Sequence, residues 1–180
     1  GIETKDGKAF LRILELDTAK GEYTGKSYKY ALEAPANSIG DFNLIDATSG
    51  LIIERDDTEG DPAQACLEGA PKPDCFNVPA KFKRIYKVDL GQADADGFVK
   101  KVGYIDLMDI DDPQKLARQG GKDGKLTFPF FTIENVDIID ADRIIVGNHN
   151  NLPFSSGRAL GKVDDNELIL LKVTDLLKAK

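Results

Sequence analysis

Apolar and polar residues alternate along most of the chain, and this pattern predicts strands rather than helices. The clearest case is FLRILELD (10–17), where apolar side chains recur with the two-residue period of one strand face. Further strands are predicted at 26–32, 41–46, 50–57, 82–90, 97–108, 130–140, 143–150 and 167–176. One short helix is predicted after Asp112, which would cap it, with Pro113 at its first position and Gly120 and Gly121 after its end.

Two motifs recur in this order of strands. AFLRILELD, KFKRIYKVD and NELILLKVTD, starting at 9, 81 and 166, alternate and close on an Asp. DFNLIDATSGLIIERDD (41–57) is similar to ENVDIIDADRIIVGNHN (134–150), each reading as a strand, a tight turn and a second strand with a polar end. Units of four antiparallel strands are the blades of β-propellers. We therefore expect an all-β chain that forms part of a propeller.

The predicted blades are incomplete in number. Residues 10–32 would form the outer half of one blade, 41–108 a whole blade, and 130–176 three strands of another, with boundaries near 33–41 and 109–130. This makes about two to three four-stranded blades, whereas closed propellers have about four to eight. We therefore treat 1–180 as a single region of a propeller, whose remaining blades belong to the same protein or to another chain. A self-contained β-sandwich is the alternative.

The net charge of the chain favours some classes of binding partner and argues against others. Acidic residues outnumber basic ones by 31 to 24, giving a net charge of −7. This balance argues against nucleic acid as the main partner, since such proteins need a clustered basic face. It suits divalent cations, and equally suits a role in solubility alone. No apolar run approaches the roughly 20 residues of a membrane span, and the start GIETKDGKAF is typical of a processed or truncated chain.

The two cysteines, Cys66 and Cys75, lie in a segment rich in Gly and Pro that predicts a loop. Their proximity predicts a local disulfide and an oxidising compartment, periplasmic or extracellular. The alternative is two free thiols in a cytosolic loop. A zinc site is not expected, because no second pair of Cys or His is available.

Several segments together resemble the phytase-like family, whose members are described as having esterase-like activity of phytase. The resembling segments are GLIIERDD, KRIYKVDL, FPFFTIENVDIID, RIIVGNHNNLPFSSGR and DDNELILLKV. The resemblance covers roughly residues 10–175 and implies a bacterial, exported propeller protein and a hydrolase. Where the family pattern has Asp-Asn, this chain has His149-Asn150.

Polar side chains end two of the predicted strands that correspond to each other in the repeat. Residues 54–57 (ERDD) end one, and 148–151 (NHNN) end the other. Because inner strands of a propeller converge on its channel, we expect both ends at one rim. Carboxylate and carboxamide oxygens suit Ca²⁺, which takes about six to eight of them. The predicted metal ligands are Glu54, Asp56, Glu134, Asn148 and Asn150.

This rim predicts a metal-assisted hydrolase of phosphate or other esters acting on a small anionic substrate. His149, the only histidine, is the expected general acid or base. Glu54 and Glu134 are the other expected catalytic residues, and the expected substrate contacts are Arg55, Arg158 and Asn151. Each of these residues also has a purely structural interpretation. A non-catalytic binding or scaffold propeller with a structural cation is therefore the alternative, and a fragment with an incomplete site is a third.

Overall fold

The computed structural model describes residues 1–68 and 73–180. It is mostly β, with 45% of residues in strands and one short helix, which confirms the all-β class. The strands are β1 Glu3–Lys5, β2 Lys8–Asp17, β3 Glu22–Ala31, β4 Ser38–Leu44, β5 Ser49–Arg55, β6 Lys83–Asp89, β7 Lys100–Asp106, β8 Ile110–Asp111, β9 Gly121–Lys122, β10 Lys125–Leu126, β11 Ile133–Ile138, β12 Arg143–Asn148 and β13 Leu168–Lys172. A 3-10 turn covers Pro62–Gln64, and the helix α1 covers Thr174–Lys178.

The strands form separate antiparallel sheets. The first sheet has the order β1-β2-β3, the second β4-β5-β6-β7 and the third β11-β12-β13, while β8, β10 and β9 form a small fourth sheet. No closed barrel is found among the described strands. These sheets are compatible with a partial propeller, and their arrangement about a propeller axis stays a prediction.

The predicted helix after Asp112 is wrong, and the segment forms a turn instead. The Asp112 carboxylate accepts the backbone N–H groups of Leu116 (2.8 Å) and Ala117 (3.0 Å). Lys115 has a positive φ of 55°, which a helix does not accommodate. A side chain that captures backbone donors competes with helix formation in this way. The α-helix found among the described residues, Thr174–Lys178, begins inside the segment 167–176, which was predicted to be entirely strand, and extends two residues beyond it.

The second sheet is buried on both faces, and every residue of β5 is buried. Leu51, Ile53 and Ile85 pack with residues of the third sheet in one apolar core. Ile52 and Tyr86 point the other way and pack with residues of the first sheet in a second core. Burial on both faces explains why the centre of β5 is a continuous apolar run rather than an alternating one.

The hairpins β4–β5 and β11–β12 repeat each other in detail. Asp46 in one turn and Asp140 in the other accept the backbone N–H two residues further on. Both pairings shift register near the start of the inner strand, between Ile39 and Asp41 and between Ile133 and Asn135. Glu54 pairs with Ile39, and Asn148 pairs with Ile133. Glu54 and Asn148 therefore occupy corresponding positions.

The inner strands β4 and β11 lie side by side, although no ladder joins them. The Asp41 carboxylate accepts the N–H of Val136 (2.9 Å), and the Asn43 side-chain amide donates to the carbonyl oxygen of Val136 (2.6 Å). A Cβ at Gly40 would lie 1.9 Å from the carbonyl oxygen of Ile133. Glycine is therefore required for this close approach.

The predicted disulfide is present between Cys66 and Cys75, whose Cα atoms are 4.9 Å apart. Backbone bonds from Cys66 to Phe76 and from Phe76 to Gln64 fasten the two sides of the loop. The predicted loop between the cysteines includes residues 69–72, which lie outside the described residues. No helix in the described part of the chain is long and apolar enough to cross a membrane.

Candidate functional site

The polar ends of β5 and β12 are connected through the segment that precedes β11. The guanidinium carbon of Arg55 lies 4.8 Å from the ring centre of Phe131. The next residue, Thr132, accepts the backbone N–H of His149 (2.8 Å) and donates its hydroxyl to the carbonyl oxygen of His149. Two of the strand ends predicted to share a rim are thus neighbours at one end of the second and third sheets.

Glu54 is fully buried, and its carboxylate is occupied by four protein donors. One oxygen accepts the N–H of Glu33 (2.6 Å) and the side-chain amide of Asn37 (2.8 Å). The other accepts the hydroxyl of Tyr30 (2.7 Å) and the ammonium of Lys101 (3.1 Å). Burial, followed by the charge of Glu54, raises the pKa of Tyr30, which keeps its hydroxyl a donor. The observed contacts of Glu54 join the first and second sheets.

Asp56 is held by Lys83, which is fully buried at the start of β6. The ammonium lies 2.6 Å from the Asp56 carboxylate and also donates to the carbonyl oxygens of Asp56 and Thr58. The other carboxylate oxygen accepts the hydroxyl of Thr58 (2.6 Å) and the N–H of Lys81 (3.1 Å). Burial alone would raise the pKa of Asp56, but the bonds from Lys83 and Thr58 hold it below its usual value.

Both predicted anion-binding arginines have carboxylate partners within the chain. Arg55 is buried and pairs with Asp57 at 2.6 Å. Arg158 makes two bonds to Glu167 (3.0 and 2.8 Å) and one to the carbonyl oxygen of Thr127 (3.0 Å). The Nε of Arg55 is buried with no hydrogen-bond partner among the described residues. Arg55 therefore has a donor to spare, whereas Arg158 is held on both edges of its guanidinium.

Two of the Asn residues at the end of β12 have a structural explanation. Asn148 is buried, accepts the N–H of Glu167 (2.6 Å) and donates to the carbonyl oxygen of Asp165 (3.1 Å). Asn151 has a positive φ of 48°, a conformation that Asn tolerates better than most residues. Its N–H reaches Nδ1 of His149 at 3.3 Å. The cluster therefore anchors and turns the loop that follows the strand.

Three of the predicted side chains have free polar atoms. Glu134 lies at the register shift of β11 and is half-buried. Within residues 1–68 and 73–180, no hydrogen bond is found for the side chains of Glu134, Asn150 or Asn151. In the same part of the chain, no three His, Cys, Asp or Glu side chains are grouped so that they could hold a metal ion.

Two carboxylates that the sequence analysis did not select bind the backbone of residues 156–158, in the loop that follows β12. Glu59 accepts the N–H of Ser156 (3.2 Å), and its second oxygen is buried without a partner among the described residues. Asp164 accepts the N–H groups of Gly157 (2.7 Å) and Arg158 (2.9 Å). Burial raises the pKa of Asp164 despite these two bonds. No local pattern singles out either residue, because both act on chain segments that only the fold brings close.

The observed arrangement defines an all-β protein of repeated antiparallel sheets with a polar rim where two corresponding strands end. The profile of the phytase-like family, described as esterase-like activity of phytase, matches residues 2–152. The chain therefore belongs to the phytase-like family, which points to a hydrolase-type function. No curated protein and no solved structure matches the chain. The matched region contains Glu134 and residues 148–151 and ends before Arg158.

Proposed function

We propose that the chain is a metal-assisted hydrolase of phosphate or other esters, acting on a small anionic substrate at the rim formed by the ends of β5 and β12. The observation that carries the proposal is the meeting of these two corresponding strand ends through Phe131 and Thr132, inside the region matched by the family. Family membership supports the hydrolase class. The metal, the substrate and the residue roles are our assignments.

We assign Glu134 and Asn150 as the ligands of the ion, for which Ca²⁺ is the candidate. Their side-chain oxygens are unengaged in the described chain, whereas Glu54, Asp56 and Asn148 are held by protein partners. Two protein oxygens fit only part of the shell of about six to eight that Ca²⁺ takes, so water and substrate oxygens would supply the rest. A bound ion of this kind polarises an ester and lowers the pKa of attached water.

The chain's own residues would position the substrate and move a proton. His149 is exposed, and its Nδ1 accepts the N–H of Asn151, so the neutral ring carries its proton on Nε2. We assign His149 as the general acid and Asn151 as a substrate contact. We assign Arg55 to the anionic group of the substrate, which would replace Asp57 as the partner of its guanidinium. Glu54 and Asp56 would support the rim from within the sheets.

The test is an assay of the purified chain against a phosphomonoester and a short acyl ester, with and without a chelator. Glu134→Gln removes one proposed ligand, and Glu22→Gln, at the exposed start of β3 in the first sheet, is the matched control. We expect turnover that the chelator abolishes, that falls at least about tenfold in Glu134→Gln, and that the control retains. Full activity in Glu134→Gln with an unchanged melting temperature would remove this residue from the site.

The internal contacts of Glu54, Asp56 and Asn148 favour one alternative, a non-catalytic binding or scaffold protein with a structural cation. Such a protein would show a melting temperature that falls when a chelator is added. It would turn over neither ester at any metal concentration. The same assay and a melting curve therefore separate the two functions.

We also propose a periplasmic or extracellular location. The Cys66–Cys75 bridge supports it, since disulfides persist in oxidising compartments. Mass spectrometry of the protein from its native cells, alkylated before reduction, tests this location. Alkylation of both cysteines would place the protein in a reducing compartment.

A further inference from the structure

A cavity lies beside β13, where the edge of the third sheet meets the turn that follows Asp112. Its volume is about 520 Å³, within the range of about 300–1,000 Å³ that is usual for small-molecule sites. Residues 168–171 of β13 line it, together with residues 116–119 of the turn. Four residues of a strand span about 10–13 Å, so the cavity has room for an extended chain of atoms.

The walls of this cavity are apolar and open to solvent. Three of its leucines are largely exposed: Leu116 is 75% exposed, Leu168 is 69% and Leu170 is 60%. Leu126 and Leu171 also line the cavity and are buried, so they form its floor. Large apolar side chains that share one exposed surface commonly mark a binding site. The shape and the walls therefore suit an aliphatic ligand.

The carboxylates that line the cavity are bound by donors within the chain. Asp111 pairs with Lys125 at 2.7 Å. Asp112 accepts two backbone N–H groups of the turn. Glu167 accepts two hydrogen bonds from the guanidinium of Arg158. The lining carboxylates therefore already have partners.

Arg118 is the charged lining residue without a partner. Its exposed guanidinium makes no hydrogen bond or ion pair with any residue that the structure describes. Gln119 donates to Glu167 (2.8 Å), which places Arg118 near Asn166, the residue before Glu167. The side-chain oxygen of Asn166 accepts the N–H of Asn150 (2.7 Å), so its amide N–H groups are left to donate. This end of the cavity therefore offers a cation and a neutral donor to an anion.

We propose that the cavity binds an amphiphilic anion, a carboxylate on an aliphatic chain of about eight to ten carbons, which is as long as four residues of β13. The chain lies against Leu116, Leu168 and Leu170. The carboxylate accepts charge-assisted hydrogen bonds from Arg118 and a further bond from Asn166. This site goes beyond the proposed hydrolase function and does not rest on it, because binding at equilibrium needs no turnover.

Isothermal titration of the 180-residue chain with decanoate, below the concentration at which decanoate forms micelles, tests the proposal. We expect saturable binding of one decanoate per chain. Decyltrimethylammonium has the same chain and the opposite charge, so it should bind at least about tenfold more weakly beside Arg118. Acetate, the head group alone, should show no measurable binding. Equal affinities for the two decyl ligands would show an adventitious apolar surface and would overturn the proposal.

Two substitutions separate the head-group contact from the apolar contact. Arg118→Gln should weaken decanoate binding at least about tenfold, whereas Arg143→Gln, an exposed arginine of β12 outside the cavity, is the matched control. Leu168→Ser should weaken it at least about fivefold, and Leu14→Ser, an exposed leucine of the first sheet, should not. All four side chains are exposed, so the variants should keep the melting temperature of the unsubstituted chain. Unchanged affinity in Arg118→Gln would contradict the proposal.

Nuclear magnetic resonance of the isotope-labelled chain locates the ligand. Saturating decanoate should shift the backbone amide signals of residues 116–119 and 166–171 and leave those of the first sheet in place. Shifts confined to other parts of the chain would overturn the proposal. Sedimentation at the same protein concentration should show a monomer. A dimer that Leu170→Arg dissociates would make a second copy the occupant of this surface and would also overturn the proposal.

Discussion

Glu54 and Asn148 occupy corresponding positions at the ends of β5 and β12, and both bind main-chain groups of other segments. Glu54 accepts the N–H of Glu33, and Asn148 accepts the N–H of Glu167. Each position therefore fastens a neighbouring segment to the end of its strand. The two positions therefore share an anchoring role, and our proposal assigns substrate contacts to residues just beyond them.

Glu54→Gln should lower the free energy of unfolding by about 1.5–3 kcal/mol, because it weakens charge-assisted bonds from Tyr30 and Lys101 in a buried site. Urea denaturation measures the change. Glu15→Gln, an exposed carboxylate of β2, should stay within about 0.5 kcal/mol of the unsubstituted chain. An unchanged urea midpoint for Glu54→Gln would contradict the anchoring role.

The free energy of unfolding should fall at acidic pH because Asp56 then becomes protonated. Bonds from Lys83 and Thr58 hold the pKa of Asp56 below its unfolded value of about 3.9. The contribution is therefore complete above the unfolded pKa and is lost as the pH falls towards the folded one. Urea denaturation at a series of pH values from 5 to 2 tests this, because that range spans the unfolded pKa of about 3.9. In Asp56→Asn the midpoint should be lower at pH 5 and should fall less steeply with acid; parallel curves for the two proteins would refute the prediction.

Removing the disulfide should destabilise the chain by about 2–3 kcal/mol, because the bridge restricts a short loop in the unfolded state. The variant replaces both Cys66 and Cys75 with Ser, and urea denaturation measures the loss. A reducing agent should shift the midpoint of the unsubstituted chain towards that of the variant. The variant itself should not respond to the reductant. A bridge that contributes nothing would leave all four midpoints equal.

Gly40→Ala should cost about 1–3 kcal/mol, since the added Cβ would lie 1.9 Å from the Ile133 carbonyl oxygen. Gly121→Ala is the control, because its nearest neighbour, the Cβ of Ala117, would be 3.4 Å away. Thermal melting of both variants gives the comparison. Equal melting temperatures would show that β4 and β11 need not approach so closely.

Much of the strand pattern can be predicted from the sequence because its signals are local. The prediction of 10–17 differs from Lys8–Asp17 only at its start, and 143–150 overlaps Arg143–Asn148. Alternation marks the strand, and an Asp that caps the following turn marks its end, as Asp140 does after β11. The helix after Asp112 failed because the same capping side chain can close a turn without starting a helix.

The site could be predicted less well because its contacts are long-range. Glu54 was predicted to be a metal ligand and a catalytic residue at the rim, and the structure buries it because the second sheet has neighbours on both faces. Its partners Tyr30 and Asn37 lie in other strands and loops, and nothing near Glu54 in the sequence identifies them. Nor does the sequence predict that Lys83 is buried, because a lysine at the start of a strand is normally exposed.

The long loop after β5 leaves and re-enters the sheet at almost one point. The N–H of Asp56 donates to the carbonyl oxygen of Phe82 (2.9 Å). The buried ammonium of Lys83 contacts the carboxylate of Asp56 and donates to the carbonyl oxygen of Thr58. Lengthening a loop whose ends are already pinned carries little entropic penalty. We therefore expect insertions within this loop to leave the pairing of β5 with β6 intact.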